Sequence, residues 1–303
     1  MKIKTVISLL LAVLLCTCGQ QAEHALTVCF TGDVLLDRGV REQINRKGMG
    51  YLFEGVAPLF KKSDATVINL ECPVTNTVSP INKQFIFRAD SEWVHSLSKN
   101  GITHATLANN HSLDHGRRGL DDTYMHLTDN NIIPIGYGKT HNHACQPVII
   151  SKNGIDVAIF SSIFIPLENW VFLDDVSCIC QSQAEETADN IRQWKNNNPK
   201  SFVVVTLHWG VEYQLQPTLK QRRDAAILID AGADAIIGHH PHVIQEVETY
   251  KGKPVFYSIG NFIFDQTKPN TTTGLAVQLH FDKDSLSFTK HYVDIRSCKP
   301  VLK

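Results

Sequence analysis

The chain has 303 residues, with 29 Lys+Arg against 30 Asp+Glu, 43% hydrophobic residues, 14 His and 8 Cys. That is too long for a disulfide- or zinc-stapled module and too apolar for a disordered chain; it suits one large domain or two ordinary ones. A formal net charge of -1 argues against a dedicated nucleic-acid binder, which would carry a basic stripe, and no nucleic-acid partner is expected.

Taken in chain order, Lys2 and Lys4 precede the apolar run Val6–Leu15 and the boundary Leu15-Cys16-Thr17-Cys18-Gly19. A short basic region followed by about ten apolar residues reads as an export signal, too short to span a bilayer as a helix. The boundary resembles a bacterial lipobox, with Thr17 as the small residue directly upstream and Cys18 as the lipidated cysteine. Cys16 fits it less well, because Leu15 precedes it. A plain secretory signal or an uncleaved anchor is the alternative. The expectation is a lipoprotein signal over 1–17, a short tether over 18–25 and a single domain over 26–303, exported and membrane-anchored. Removing two Lys and no acids leaves 27 basic against 30 acidic residues, a charge of -3. In an oxidising compartment Cys29, Cys72, Cys145, Cys178, Cys180 and Cys298 allow fifteen full pairings, between which spacing does not choose. Cys29 sits inside an apolar run and reads as a buried thiol.

Beyond the tether, short Val- and Ile-rich runs alternate with helical patterns. Strands are expected over Leu26–Thr31, Ala65–Leu70, His104–Leu107, Val148–Ile150, Val157–Ser161, Phe202–Leu207, Ala235–Ile237, Val255–Ile259, Leu275–Phe281 and Ser287–Val293. Helices are expected over Gly39–Arg46, Glu92–Asn100, Gly119–Asn130, Ala184–Lys195 and Leu219–Ala231, with Gly101 and Gly232 placed to end two of them. The last two strands have no helix between them and read as an antiparallel meander. Pro166–Gln183 reads as a surface excursion. A layered α/β domain is the result.

The chemistry-bearing residues come at the ends of those apolar runs: Gly32-Asp33, Glu71, Asn109-Asn110-His111, His208-Trp209, Gly238-His239-His240-Pro241-His242 and Gly260-Asn261. Open α/β sheets place ligands outside the carboxyl ends of their strands. Carboxylates with imidazoles suit divalent transition metals, and a bridging carboxylate can hold two ions that activate a water for attack at phosphorus. Asp33 and Glu71 supply anionic oxygens; Asn110, His208, His240 and His242 supply the rest; His111 is placed as a general acid. Each piece alone has a plainer reading: Gly-Asp as a turn, Asn-Asn-His as a loop, the histidine run as a surface cluster. Six such strand ends in series weigh against it. His24, His141 and His143 lie in polar segments, and His280 and His291 read as half-exposed strand residues.

The series Gly32-Asp33-Val34, Asn69-Leu70-Glu71, Asn109-Asn110-His111-Ser112-Leu113-Asp114, His208-Trp209-Gly210-Val211-Glu212-Tyr213, Gly238-His239-His240-Pro241-His242 and Ser258-Ile259-Gly260-Asn261-Phe262 closely resembles the CapA family of poly-gamma-glutamate capsule biosynthesis proteins. That family is itself similar to calcineurin-like metallophosphoesterases, and the resemblance runs from about Leu26 to Asp265. It implies a four-layer α/β/β/α metallophosphoesterase-like sandwich holding one or two divalent ions (Mn, Fe or Zn). It further implies Asp33, Glu71, Asn110, His208, His240 and His242 as metal ligands, with Glu71 bridging, and His111 with Asp114 as catalytic residues. Arg88, Asn109, Glu212 and Asn261 fall where substrate contacts are expected. Phosphoesterases usually begin Asp-x-His, whereas Asp33 is followed by Val34-Leu35, so one histidine ligand is missing; Asp37 and Asp114 are candidates to substitute or to orient imidazoles. The function implied is an envelope hydrolase or transferase acting on a phosphoester or a glutamyl polymer. The partners are an anionic polymer or phosphorylated small molecule, the membrane, and a capsule-synthesis complex. A non-catalytic polymer-binding or export component is the alternative.

Overall fold

Inner strands buried on both faces give this chain two sheets packed face to face, each covered by helices on its outer side. The computed structural model describes residues 26–168, 173 and 176–303. The expected signal segment, Cys18 and His24 lie outside the described residues. Numbered in chain order, one sheet holds β1 (Leu26–Val34), β2 (Ala65–Leu70), β3 (His104–Thr106), β4 (Ile133–Ile135), β13 (Asn261–Ile263), β14 (Thr273–Phe281), β15 (Leu286–Arg296) and β16 (Lys299–Leu302). The other holds β6 (Val148–Lys152), β7 (Ile155–Ile163), β9 (Phe202–His208), β10 (Ala235–His239), β11 (Val247–Tyr250) and β12 (Lys253–Phe256). A two-stranded ribbon pairs β5 (Tyr137–Gly138) with β8 (Cys178–Ile179). The helices are α1 (Arg38–Lys47), α2 (Ala57–Lys61), α3 (Val94–Lys99), α4 (Gly116–Asp129), α5 (His141–Ala144), α6 (Ala184–Asn197) and α7 (Leu219–Asp230). Among the described residues, no helix is long and apolar enough to cross a membrane.

The strand order is β16-β15-β14-β1-β2-β3-β4 in the first sheet, with β13 also on β1, and β11-β12-β10-β9-β7-β6 in the second. Leu26, Val28 and Phe30 of β1 point at Val204 and Ile237 of the facing sheet, closing the central layer. Their neighbour Cys29, with Ile68 and Leu70, packs outward on Val40 of α1, Leu97 of α3 and Leu120 of α4. Val203, Val205 and Ile236 pack outward on Ala188 and Ile191 of α6 and Leu228 of α7. Each fully buried Leu, Ile, Val or Phe stabilises by roughly 1.5–3 kcal/mol, so both faces of each inner strand contribute. The result is the α/β/β/α sandwich. The terminal meander is present as β14, β15 and β16, all antiparallel.

Helix ends obey local chemistry. In α3, Gly101 (φ 94°) donates its N–H to Ser98 O and Ile102 donates to Leu97 O, a Schellman closure. Gly232 (φ 117°) and Ala233 close α7 in the same way on Ile229 and Leu228.

Three departures from the sequence reading shape the site. First, β1 does not stop at Thr31 but runs through Asp33 to Val34, because β2 and β13 both pair with it in parallel there. Gly32 makes that pairing possible, since a Cβ on it would lie 2.1 Å from the carbonyl oxygen of Gly260. Second, β12 ends at Phe256 and the chain bends before β13, with Gly260 at φ 70°. Third, the excursion over Pro166–Gln183 is tied down at its far end by β8 and by a disulfide joining Cys145 to Cys180. Cys29 is a buried thiol, as its apolar surroundings predict.

Candidate metal centre

Strand register assembles the site. β1 sets Asp33 opposite Asn69 of β2 and opposite Asn261 of β13, while β9 and β10 set His208 opposite His239. Glu71 comes directly after β2, and Asn110 and His111 lie in the turn after β3. His240 and His242 leave β10 with φ of 97° and 57°, conformations that side-chain-bearing residues hold only where the surroundings over-determine them.

The donor atoms form two groups that meet at Glu71. In the first, His239 Nδ1 lies 3.2 Å from Asp33 Oδ1 and His242 Nδ1 lies 3.1 Å from Asp33 Oδ2. In the second, His208 Nε2 lies 2.8 Å from Asn110 Oδ1 and 3.1 Å from His240 Nδ1. Glu71 Oε1 stands between them, 3.7 Å from His242 Nε2 and 4.0 Å from both His208 Nε2 and His111 Nε2. Asn69 donates to Asp33 Oδ1 at 2.8 Å, and Asn261 Oδ1 lies 2.9 Å from His242 Nδ1, so both amides orient residues of the centre.

Asp33 and Glu71 are fully buried, and among the described residues Asp33 Oδ2 and both Glu71 oxygens have no hydrogen-bond partner. Buried carboxylates without donors are strongly unfavourable unless a cation compensates them. Burial, then the charge of Asp33, pushes the Glu71 carboxyl well above its ordinary range. Burial works the same way on Asp33, but His239 and His242 outweigh it and hold that carboxyl well below. Burial pushes His208 far down and His111 and His240 down to about 4, leaving neutral imidazoles able to donate a lone pair. His242 is the exception: against burial, Glu71 and Asp33 raise it to about 9, so a proton sits where the two carboxylates call for positive charge. The ligand atoms of Asp33, Glu71 and His242 all lie within 4.8 Å of one another, and this buried group could hold a metal ion.

The remaining expected site residues divide. His111 Nδ1 lies 2.8 Å from Asp114 Oδ2, and Lys83 Nζ bonds Asp114 Oδ1 at 3.0 Å and Asn110 O at 2.6 Å. Phe87 stacks on the His111 ring with centroids 4.1 Å apart. Glu212 is exposed at the mouth of the cleft leading to His111 and His242. Asn109 does not reach that cleft: its amide donates to Asn69 Oδ1 and Leu70 O and accepts from His111 N and Ser112 Oγ, fixing the loop instead. Asn261 is likewise buried, donating to Gln266 Oε1 and Thr271 O, with its Oδ1 on His242 Nδ1. Arg88 points elsewhere, with Nη1 2.9 Å from Thr75 O and 3.4 Å from Asp90 Oδ1. Asp37 does not substitute for the missing histidine; it caps α1 through Arg38 N and binds Arg41 Nε.

The sequence reading missed three residues. His239, left without a role, stands beside Asp33. Its signal was present as the first imidazole of the Gly-His-His-Pro-His run. Asn69 and Lys83 gave none, because they join the site only through pairing and loop packing. A second group with metal-ligand types, His141, Cys145 and Glu186, has its sulfur in the Cys145–Cys180 disulfide.

Residues 27–266 match the family described as bacterial capsule synthesis protein PGA_cap. The chain belongs to this family. PGA_cap relatives include the PGA biosynthesis protein CapA of Bacillus subtilis, 31% identical over 92% of this chain and 74% of that protein. The capsule biosynthesis protein CapA of Bacillus anthracis is 33% identical over 84% of this chain and 64% of that one. Among solved structures, this PGA_cap chain is similar to the calcineurin-like phosphoesterase YfkN of Bacillus subtilis (TM-score 0.54, 15% identity, 89% of this chain and 90% of that one). It is also similar to the NAD nucleotidase NadN of Haemophilus influenzae (TM-score 0.52, 13% identity, 92% and 59%). The fold is therefore that of the metallophosphoesterases, and the PGA_cap sequence signature lies on it.

Proposed function

We propose that this PGA_cap protein is a metal-dependent hydrolase or transferase of the bacterial envelope, acting on a phosphoester or glutamyl-polymer substrate during capsule assembly. The observation that carries the reading is the pair of buried carboxylates, Asp33 and Glu71, whose orphaned oxygens lie beside the imidazoles of His242, His208 and His111. Asp33, His239 and His242 would hold one ion and Asn110, His208 and His240 a second, with Glu71 shared. Bound there, Mn, Fe or Zn supplies Lewis acidity and a water acidified toward neutrality. His111, neutral and held at Nδ1 by Asp114, presents its Nε2 lone pair to the cleft, where it would take a proton from the attacking water and then give that proton to the leaving group. Lys83 is ion-paired with Asp114 Oδ1 while Asp114 Oδ2 holds His111 Nδ1, so the three side chains together fix the orientation of the imidazole. Phe87 and Phe264 narrow the approach and exclude water. The His111–Asp114 pair favours catalysis over polymer binding alone, since a binding surface has no use for an oriented imidazole that can carry a proton.

Elemental analysis of the purified chain tests this: roughly one to two Mn, Fe or Zn ions are expected per chain. Asp33→Ala and His240→Ala are expected to lose metal and, on phosphodiester, phosphomonoester and γ-glutamyl substrates, activity. A metal-free protein whose variants behave as wild type would refute the reading. Export as a lipoprotein anchored through Cys18 rests on the boundary sequence, and the Cys145–Cys180 disulfide suits an oxidising compartment. Labelled fatty acid should enter the wild-type chain and not Cys18→Ser; equal labelling would exclude that anchor.

A further inference from the structure

Arg38 begins α1 with φ 51°, in the left-handed region that residues with a side chain seldom adopt. Around the cleft Tyr213, His240 and His242 share that conformation, at 64°, 97° and 57°. The histidines already belong to the proposed centre, whereas Arg38 has had no role. Its guanidinium carbon lies 4.7 Å from the ring centroid of Phe87 and 5.5 Å from that of Phe264. Nη2 is ion-paired with Asp265 Oδ1, and Asp265 is itself held by the N–H of Gly39 at 3.0 Å. Nε is buried and has no hydrogen-bond partner among the described residues. One arm of the fork is therefore clamped, the plane is fixed by two aromatic rings, and the side chain stays one-third exposed in the cleft shared with His111 and His242.

A guanidinium held in this way has few rotamers to lose on binding, and its remaining donors match two oxygens of one anionic group. The metal group explains how a reacting atom would be activated; it does not explain what would fix the substrate beside it. We propose that Arg38 binds an oxyanion of the substrate, carboxylate or phosphoryl, and sets the substrate against the Asp33–Glu71–His242 group. This rests on the metal-centre reading above. It also assigns to α1 a recognition role that the sequence reading had given to Arg88.

Calorimetric titration of the full chain with inorganic phosphate and with γ-glutamyl-glutamate tests it, in wild type, Arg38→Gly and Arg38→Met. Glycine relieves the left-handed backbone while removing the guanidinium, and methionine keeps an apolar filling between the two rings. Metal content is measured on each protein. Both variants are expected to bind about tenfold more weakly or worse, the loss associated with one charged hydrogen bond, with metal content unchanged. Millimolar guanidinium should restore part of the affinity of Arg38→Gly. A loss confined to phosphate identifies a phosphoryl group, and one confined to the dipeptide identifies a carboxylate. Should Arg38→Gly not fold, Arg38→Met decides. Wild-type affinity for both probes in a folded variant overturns the proposal, as does failure of wild type to bind either. A wild type without metal would sink the metal-centre reading alone, since the contrast between Arg38 and its variants is still read in chelated protein.

Discussion

Replacing Glu71 by glutamine separates the demand for a cation from every other feature of the site. In chelated protein Glu71 is fully buried, without hydrogen-bond partners among the described residues, and raised by burial and by Asp33 above its ordinary 4.5. A carboxyl raised on folding leaves the fold unpenalised below pH 4.5 and removes stability as pH rises above it, at about 1.36 kcal/mol per pH unit until the folded group ionises. At pH 7 the penalty is therefore at most about 3 kcal/mol. Glutamine has the shape of the protonated acid and carries none of that penalty. For a domain of this size, roughly 2–4 °C of melting temperature accompanies each kcal/mol, so chelated E71Q should melt up to about 6–12 °C above chelated wild type at pH 7. The two curves should converge toward pH 4.5. Adding Mn at a thousandfold excess over its Kd should raise wild type by about 4 kcal/mol and leave E71Q nearly unmoved. Scanning calorimetry from pH 4.5 to 8, with and without metal, reads all of this. Coincident wild-type and E71Q melts at every pH, or an undiminished metal shift in E71Q, would refute the assignment of Glu71 as an uncompensated buried charge.

Two further outcomes concern the scaffold. Burial lowers His104 to about 4, so the stability it leaves intact above pH 6.5 is lost as pH falls toward 4, by of order 3 kcal/mol. His104→Gln should flatten that acid limb in urea melts across pH 4 to 7, and an unchanged slope would show that His104 is not buried as a neutral group. The Cys145–Cys180 bridge closes a sequence separation of 35 residues, and the chain-entropy relation puts its contribution at about 4 kcal/mol. Cys145→Ser should lower the urea midpoint under non-reducing conditions and match wild type once dithiothreitol is added. No difference between the two before reduction would show that the bridge is not formed.

The site was legible in the sequence to the extent that its residues terminate strands. Asp33, Glu71, Asn110, His111, His208, His240 and His242 all close an apolar run or lie just beyond one. Parallel strands bring their carboxyl ends to one edge, so the residues just past each run are the ones that meet at the cleft. Asn109 and Asn261 were found by the same rule, but a strand-end position does not reveal whether an amide faces the cleft or braces a loop, and both have their partners inside the protein. Arg88 differs from its expected placement for a related reason. Its neighbour Phe87 stacks on His111, but successive residues of an extended segment point to opposite sides, so Arg88 turns to Thr75 and Asp90. His239 was passed over because nothing local distinguishes which imidazole of a run lies beside a carboxylate from another strand. The short elements β5, β8, β13 and α5 span two to four residues each, too few for any periodicity to show.

What the chain determined by itself was therefore the material of the fold: short Val- and Ile-rich strands, helices closed by Gly101 and Gly232, and polar residues concentrated where strands end. Pairing decided the rest. The contact of β13 with β1, admitted by Gly32, carries Asn261 to His242, and β2 and β13 on either side of β1 extend it far enough to bury Asp33. Only the packing of one sheet on the other brings His239 to Asp33, and only the turn into α1 lifts Arg38 over Phe87 and Phe264. Those contacts join residues far apart in the chain, and their energy depends on positions in space that no local pattern encodes.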